Sequence, residues 1–249
     1  MEIPVDLSGV NLEWIGHGAS GSIFLIDSFE PAISLKHIIT RADTRRNEFL
    51  IEVETLKRLN HPNIVKYLGI GKFKQKRTNI WAEGILMEYC GRGALCHLID
   101  NPAIIYTIYN VVSWTRQLIK ALGYLAENRA VHRDIKPANV FVSTYFELKL
   151  GDFGSIKEIT RSCSSFTPAV GTRRYMSPEQ SKSISGKRLS HRSDVYSMGL
   201  VIWEMIERRK VFARFGSHYD YGLFATEDRQ LIDVEVLECE PEIRFTVEK

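Results

Sequence analysis

Apolar and polar residues alternate around glycines in "LEWIGHGASGSIFLI" (12–26) and "PAISLKHII" (31–39). A period of two predicts short antiparallel strands joined by tight turns. The period then lengthens: Phe49, Leu50, Val53, Leu56 and Leu59 recur at helical spacing within 45–59. That helix should end at Asn60, just ahead of Pro62, because the residue before a proline is driven out of the helical region. "IVKYLGIGKF" (64–73) and "IWAEGILMEY" (80–89) return to the strand pattern, so 11–89 reads as a strand-rich unit with one helix.

Beyond the glycine-punctuated "CGRGAL" (90–95), an almost continuous apolar face over 104–128 predicts a long helix, and 194–209 predicts another. No internal repeat or low-complexity tract interrupts this mainly helical half. The change of character near residue 90 sets the expected organisation: an N-terminal lobe over 11–89, a hinge over 88–93 and a C-terminal lobe over 94–249. The expected fold class is α+β in two lobes, with the ligand in a cleft between them.

Composition narrows the partners more than the fold. With 249 residues and 44% hydrophobic content the chain can bury a sizeable core. Thirty-three Lys and Arg against thirty Asp and Glu give a net charge of only +3, which argues for neither nucleic acid nor an anionic membrane. The run Lys72, Lys74, Lys76, Arg77 reads as a solvated loop. Cys90, Cys96, Cys163 and Cys239 form neither a CxxC pair nor a zinc spacing, in keeping with a reducing compartment. "MEIPVDLSGV" lacks a secretory signal pattern, and no stretch reaches the roughly 18 apolar residues of a membrane span. A cytoplasmic protein without a membrane span is the expectation.

Several motifs carry chemistry. Gly16, Gly18 and Gly21 in "GHGASGSI" fit G-x-G-x-x-G, followed by Ile23. A dinucleotide site would need a helix next, whereas "SIFLI" continues as a strand, so the motif reads as a hairpin whose amides can approach phosphate and not as an oxidoreductase fingerprint. Lys36 in "ISLK" interrupts an apolar strand. It could snorkel to solvent; if buried it needs a counter-charge, which Glu52 supplies, although helix register also allows Glu48 or Glu54.

"AVHRDIKPANVFV" (130–142) sets Asp134, Lys136 and Asn139 in one short segment. Ionised, Asp134 can accept a hydroxyl proton or orient a nucleophile; Lys136 can neutralise a transferring phosphoryl group; Asn139 can offer a neutral oxygen to a metal. Asp152 in "GDFG" adds a carboxylate, and hard Mg²⁺ favours such oxygens together with substrate phosphates, so Asp152 and Asn139 make a candidate metal pair. Singly each residue has an ordinary explanation as a turn, cap or core residue. The ordered set does not.

From Leu12 to about Arg209 the chain resembles the eukaryotic protein kinases, through "GHGASGSI", "ISLK", "VHRDIKPANV", "DFG" and "GTRRYMSPE". The resemblance implies a two-lobed fold using ATP and Mg²⁺. It makes Met87 the gatekeeper, Glu88 to Cys90 the hinge segment against adenine, Phe141 part of the adenine floor, and Ile15 and Ile23 further nucleotide contacts. It makes Glu52 the partner of Lys36, and Leu56, Tyr67, His132 and Phe153 a buried regulatory stack. Asp194 would brace the catalytic-loop backbone or simply cap its helix. Lys136 and Thr172 point to Ser/Thr specificity, and "HPNIVKYLG" with "VIWEMIERRKVF" looks most like kinases that act on other kinases in mitogen-activated cascades.

The implied activity is ATP-dependent phosphoryl transfer to protein Ser/Thr hydroxyls in a signalling cascade, with a protein substrate and an upstream activating kinase or activator subunit as partners. The alternative is a kinase-like scaffold with little turnover. Arg133 would pair with a phosphate on the following loop, where Ser162, Ser164, Ser165 and Thr167 are candidates. Departures from the family pattern are Ser34 in place of an adenine-contacting Ala, Ser177 in place of the Ala of "APE", and Ser20 in place of an aromatic. "ECEPEIRFTVEK" resembles the segment before the family's last helix and makes Arg244 the candidate partner of Glu179. A fragment, a divergent kinase or one completed by a partner is expected from that shortened C-terminal lobe.

Overall fold

Strands form where the period of two predicted them. The computed structural model describes residues 4–18, 21–37, 43–75, 79–158, 172–177, 180 and 190–213. Ser20, Ser162, Ser164, Ser165, Thr167, Glu179 and Arg244 lie outside the described residues. Contacts group the chain into two units, Met1–Gly93 with Phe141–Gly154, and Ala94–Val140 with Ser155–Lys249.

In the first unit β1 (Val5–Asp6), β2 (Glu13–Gly18), β3 (Gly21–Ile26), β4 (Ile33–His37), β5 (Tyr67–Lys74) and β6 (Trp81–Glu88) form a six-stranded sheet ordered β1-β5-β6-β4-β3-β2. All neighbours are antiparallel except β1, which runs parallel to β5. Two residues are too few for periodicity to reveal, so β1 was not expected. It carries the chain to Leu7, which is buried with Ile26, Ile33, Leu35, Phe73 and Leu86. Each such side chain contributes about 1.5–3 kcal/mol relative to exposure. Gly71 and Gly84 face each other across β5 and β6, where a Cβ on Gly84 would lie 2.7 Å from Leu35 Cδ1 and 2.9 Å from the Lys36 carbonyl. Every position of β4 is buried, which places Lys36 in core surroundings.

Helix α1 (Asp43–Arg58) buries Phe49, Glu52, Val53 and Leu56, an i, i+3, i+4, i+7 stripe. Leu50, expected on that stripe, lies off it and is 45% exposed. The strands β8 (Val140–Val142) and β9 (Leu148–Leu150) pair with each other, and backbone bonds stitch β9 to the residues before β5. The Val65 amide donates to the Leu150 carbonyl and the Leu150 amide to the Asn63 carbonyl, each at 2.8 Å, while Asn63 Nδ2 reaches the Leu148 carbonyl at 2.9 Å.

The second unit is built on α2 (Leu95–Asp100), α3 (Ile108–Glu127) and α4 (His191–Glu207), with β7 (Ala130–Val131) pairing antiparallel to β10 (Lys157–Glu158). Helix α3 starts later than its apolar run because Thr107 caps it reciprocally with Asn110. It buries Val111, Trp114, Thr115, Leu118, Ala121 and Leu125. Arg208 ends α4 in the left-handed region at φ 54°. Its guanidinium donates to the carbonyls of Asn101 at 2.7 Å and Ile104 at 2.8 Å and stacks on Tyr106, whose hydroxyl donates to Met205. These bonds satisfy carbonyls just beyond α2. Among the described residues no helix is long and apolar enough to cross a membrane.

Candidate functional site

In the first unit the glycine motif closes a hairpin, pairing Gly18 with Gly21 and Gly16 with Ile23, with a register irregularity between Trp14 and Gly16 that includes Ile15. Open space surrounds the position a Cβ would take on Gly16, leaving room for a ligand to approach the backbone. Opposite β3, Lys36 is 4% exposed, and its Nζ donates to Glu52 Oε1 and to Asp152 Oδ1, both at 2.6 Å. Of the carboxylates the sequence left open, Glu52 is in contact; Glu54 is exposed on the outer face of α1 and meets Lys57, and the Glu48 side chain lies outside the described residues. Burial pulls the Lys36 pKa down, but the charges of Glu52 and Asp152 more than offset it and hold the ammonium above its ordinary value.

Asp152 stands at φ 57°, a left-handed backbone that a non-glycine residue adopts at a cost and that aims its carboxylate at Lys36. Met87 sits directly opposite Ser34 and is half-buried; Glu88 follows, its carboxylate accepting from the Lys66 amide at 2.7 Å and from Lys149 at 2.9 Å. Cys90 is buried, and burial together with the Glu88 charge pushes its thiol up to about 12. The Phe141 ring packs where a Cβ on Gly151 would go, which leaves Gly151 no room for a side chain. Leu56 and Phe153 are buried in this unit, whereas Tyr67, expected to be buried with them, is half-exposed near the start of β5 with Lys57 over its ring. A separate hollow of about 210 Å³ between α1 and the β5–β6 pair, lined by residues including Phe49, Leu50, Lys72 and Trp81, holds none of the candidate residues.

In the second unit Asp194 does not cap its helix. Ser190 occupies the N-cap, and the two Asp194 oxygens accept from the backbone amides of His132 (2.7 Å) and Arg133 (2.9 Å). Burial raises the Asp194 pKa in spite of the His132 charge and these amides. Two bonds thus hold the loop where Arg133 adopts φ 70° and sends Nε to the Ser155 carbonyl at 2.5 Å. His132 is fully buried.

Asp134 follows, with every carboxylate oxygen engaged. Oδ1 accepts the Thr172 amide at 2.7 Å, and Oδ2 accepts Lys136 Nζ at 2.8 Å and Asn139 Nδ2 at 2.9 Å. Lys136 also donates to Thr172 Oγ1 at 2.5 Å. Burial alone would raise the Asp134 pKa; Lys136 and Thr172 outweigh it and hold the carboxyl below its ordinary value. The group is ionised at neutral pH. Because Asn139 also donates to the Asp134 carbonyl at 2.8 Å, its amide nitrogen is committed and its Oδ1 is the atom left to offer a cation.

Within the first unit, a buried ammonium beside a carboxylate with 22% of its side chain exposed suits phosphate and a hard divalent cation; within the second, the Asn139 amide oxygen is oriented to suit a cation. Sequence reasoning missed the Thr172 amide, because no local pattern announces a main-chain donor, and it named Ser34 as a departure from the family pattern without foreseeing its bonds to the Met87 and Glu88 carbonyls.

Residues 10–243 match the protein kinase domain family. The chain is 30% identical over 212 residues to the mitogen-activated protein kinase kinase kinase dlk-1 of Caenorhabditis briggsae, covering 85% of this chain and 23% of that protein. It is 33% identical over 199 residues to serine/threonine-protein kinase 1 of Arabidopsis thaliana, covering 79% and 23%. With human mitogen-activated protein kinase kinase kinase 13 it shares 30% over 195 residues, covering 78% and 18%. The chain thus spans about a fifth of the length of these relatives.

Proposed function

This chain belongs to the protein kinase domain family, and we propose that it transfers the γ-phosphoryl group of ATP to Ser and Thr hydroxyls of a protein substrate within a signalling cascade. The observation that carries this reading is the ionised Asp134, fixed by Lys136, Asn139 and the Thr172 amide. A carboxylate so held can orient an alcohol and receive its proton without having to reorganise. Lys136 stands beside it to neutralise charge on the group in transfer.

Lys36, anchored by Glu52, is assigned to the donor's phosphates, and Gly16, Gly18 and Gly21 to the backbone that covers them. Ile15, Ile23, Met87, Glu88, Cys90 and Phe141 are assigned to the purine. Asp152 and Asn139 are the proposed oxygen donors to Mg²⁺, which when bound offsets phosphate charge. Ser/Thr specificity rests on Lys136 with Thr172, and on the names of the relatives. A cytoplasmic location, an upstream activating kinase or activator subunit, and an activating phosphate on Thr167 belong to the same proposal. Thr167→Ala then lowers activity, and full activity of that variant would remove Thr167 from it.

Transfer of labelled phosphate from ATP to a generic basic protein, compared between wild type and Asp134→Asn, tests the assignment. A loss of at least about 100-fold is expected. Equal signal from both proteins would leave a scaffold in place of an enzyme.

A further inference from the structure

Ser34 lies two residues before Lys36 on β4, so the two side chains share one face of the sheet. Directly opposite them stand Met87 and Ile85 on β6, and Leu25 and Ile23 on β3. These four facing residues are all apolar. Ser34 is 7% exposed, and its Oγ lies 3.3 Å from the main-chain carbonyl oxygens of both Met87 and Glu88. One hydroxyl has one proton, and both separations exceed the roughly 2.8 Å of a strong O–H···O bond. The proton is therefore shared weakly and can be redirected. The Glu88 amide, in contrast, is committed to the Lys66 carbonyl at 3.0 Å.

Resting on the reading above, in which a purine edge lies along Glu88–Cys90, we propose that Ser34 lets the site accept 6-oxopurine nucleoside triphosphates as well as ATP. A bare carbonyl accepts a bond from a 6-amino group but opposes a 6-oxo group, acceptor against acceptor. With a hydroxyl beside it, the proton stays on the carbonyls when an amino group donates, and swings to the oxo oxygen when one is presented. Rotation about one side-chain bond turns the proton to the oxo oxygen, and the N1–H that a 6-oxopurine also carries then has a main-chain carbonyl released by the hydroxyl as its acceptor. An apolar side chain at this position would leave the oxo group buried and unpaired.

Calorimetric titration of the purified chain with Mg·ATP and Mg·inosine triphosphate tests this, because the inosine base changes the 6-position and the adjoining N1, which gains a proton, without adding guanine's 2-amino group. Wild type is expected to bind the inosine nucleotide within about tenfold of ATP, and Ser34→Ala to raise the ratio of the two dissociation constants about tenfold. Ser34→Thr, which retains the hydroxyl, should keep the wild-type ratio. An unchanged ratio in Ser34→Ala, or wild type that binds ATP and not the inosine nucleotide, overturns the proposal and leaves the nucleotide site standing. If neither nucleotide binds, the nucleotide-site reading falls and this proposal falls with it.

Discussion

Replacing Lys36 with Met removes the cation that Glu52 and Asp152 share at 2.6 Å each. Asp152, with 22% of its side chain exposed, can turn toward water; Glu52, with 2%, cannot. The loss is therefore mainly that of the buried Lys36–Glu52 ion pair, about 3–5 kcal/mol. At about 2–4 °C per kcal/mol for a chain of this size, the melting temperature at pH 7.5 should fall by about 6–20 °C. Burial in the variant raises the Glu52 pKa above its unfolded value of about 4.3. A raised acid contributes stability that is complete below the unfolded pKa and lost as pH rises through the folded one, so the deficit must shrink on acidification toward pH 5. Wild type gives no such rescue from Lys36, whose raised pKa keeps its contribution intact until strongly alkaline pH. Lys36→Met with Glu52→Leu, an apolar pair, should recover most of the loss. Thermal melts across pH decide the matter. A single variant melting within about 1 °C of wild type, or a deficit that widens in acid, would refute the reasoning.

Glu204 accepts from the Tyr175 hydroxyl (2.9 Å) and the Val211 amide (2.8 Å), yet burial holds its pKa above the ordinary value. Its stability contribution erodes as pH rises through that raised pKa, so Glu204→Gln should gain on wild type in melts between pH 5 and pH 8; a gain that shrinks with pH contradicts this. Arg208→Ala strips its bonds to the Asn101 and Ile104 carbonyls and should cost about 2 kcal/mol in urea unfolding, with the midpoint as the readout. Gly123→Ala, in α3 with open space at the added carbon, should stabilise by about 0.5–1 kcal/mol. Gly84→Ala meets Leu35 and the Lys36 backbone and should destabilise by about 1–3 kcal/mol, and equal shifts of these two variants would contradict the packing described.

Strand β5 and both long helices were legible because each buries mainly one face and burial imprints its period on the sequence, whereas β4, buried at every position, was legible from its mostly apolar run. Elements that lack a period stayed hidden: the two-residue β1, and α2, whose six residues follow a glycine-rich stretch without side-chain capping. The start of α3 was misread because Ile104 and Ile105 extend the apolar run, although the helix begins only after Thr107, with Ile105 89% exposed. At the site, sequence named the residue types and their order, but the partner of Lys36 stayed open among three carboxylates until the buried stripe through Phe49, Val53 and Leu56 singled out Glu52. Asp194 shows the limit plainly. Its two readings differ only in which amides it accepts from, and these lie about sixty positions upstream.

The stitching of Asn63 and Val65 to Leu148 and Leu150 bears on how the chain can be dissected. Because Phe141–Gly154 belongs with Met1–Gly93, neither unit is one uninterrupted stretch of polypeptide. An expression clone stopped at Gly93 would leave the amide of Val65 and the carbonyl of Asn63 without their partners. Recovery of the small unit by itself calls for a graft that splices 141–154 onto that clone, or for the missing peptide supplied in trans.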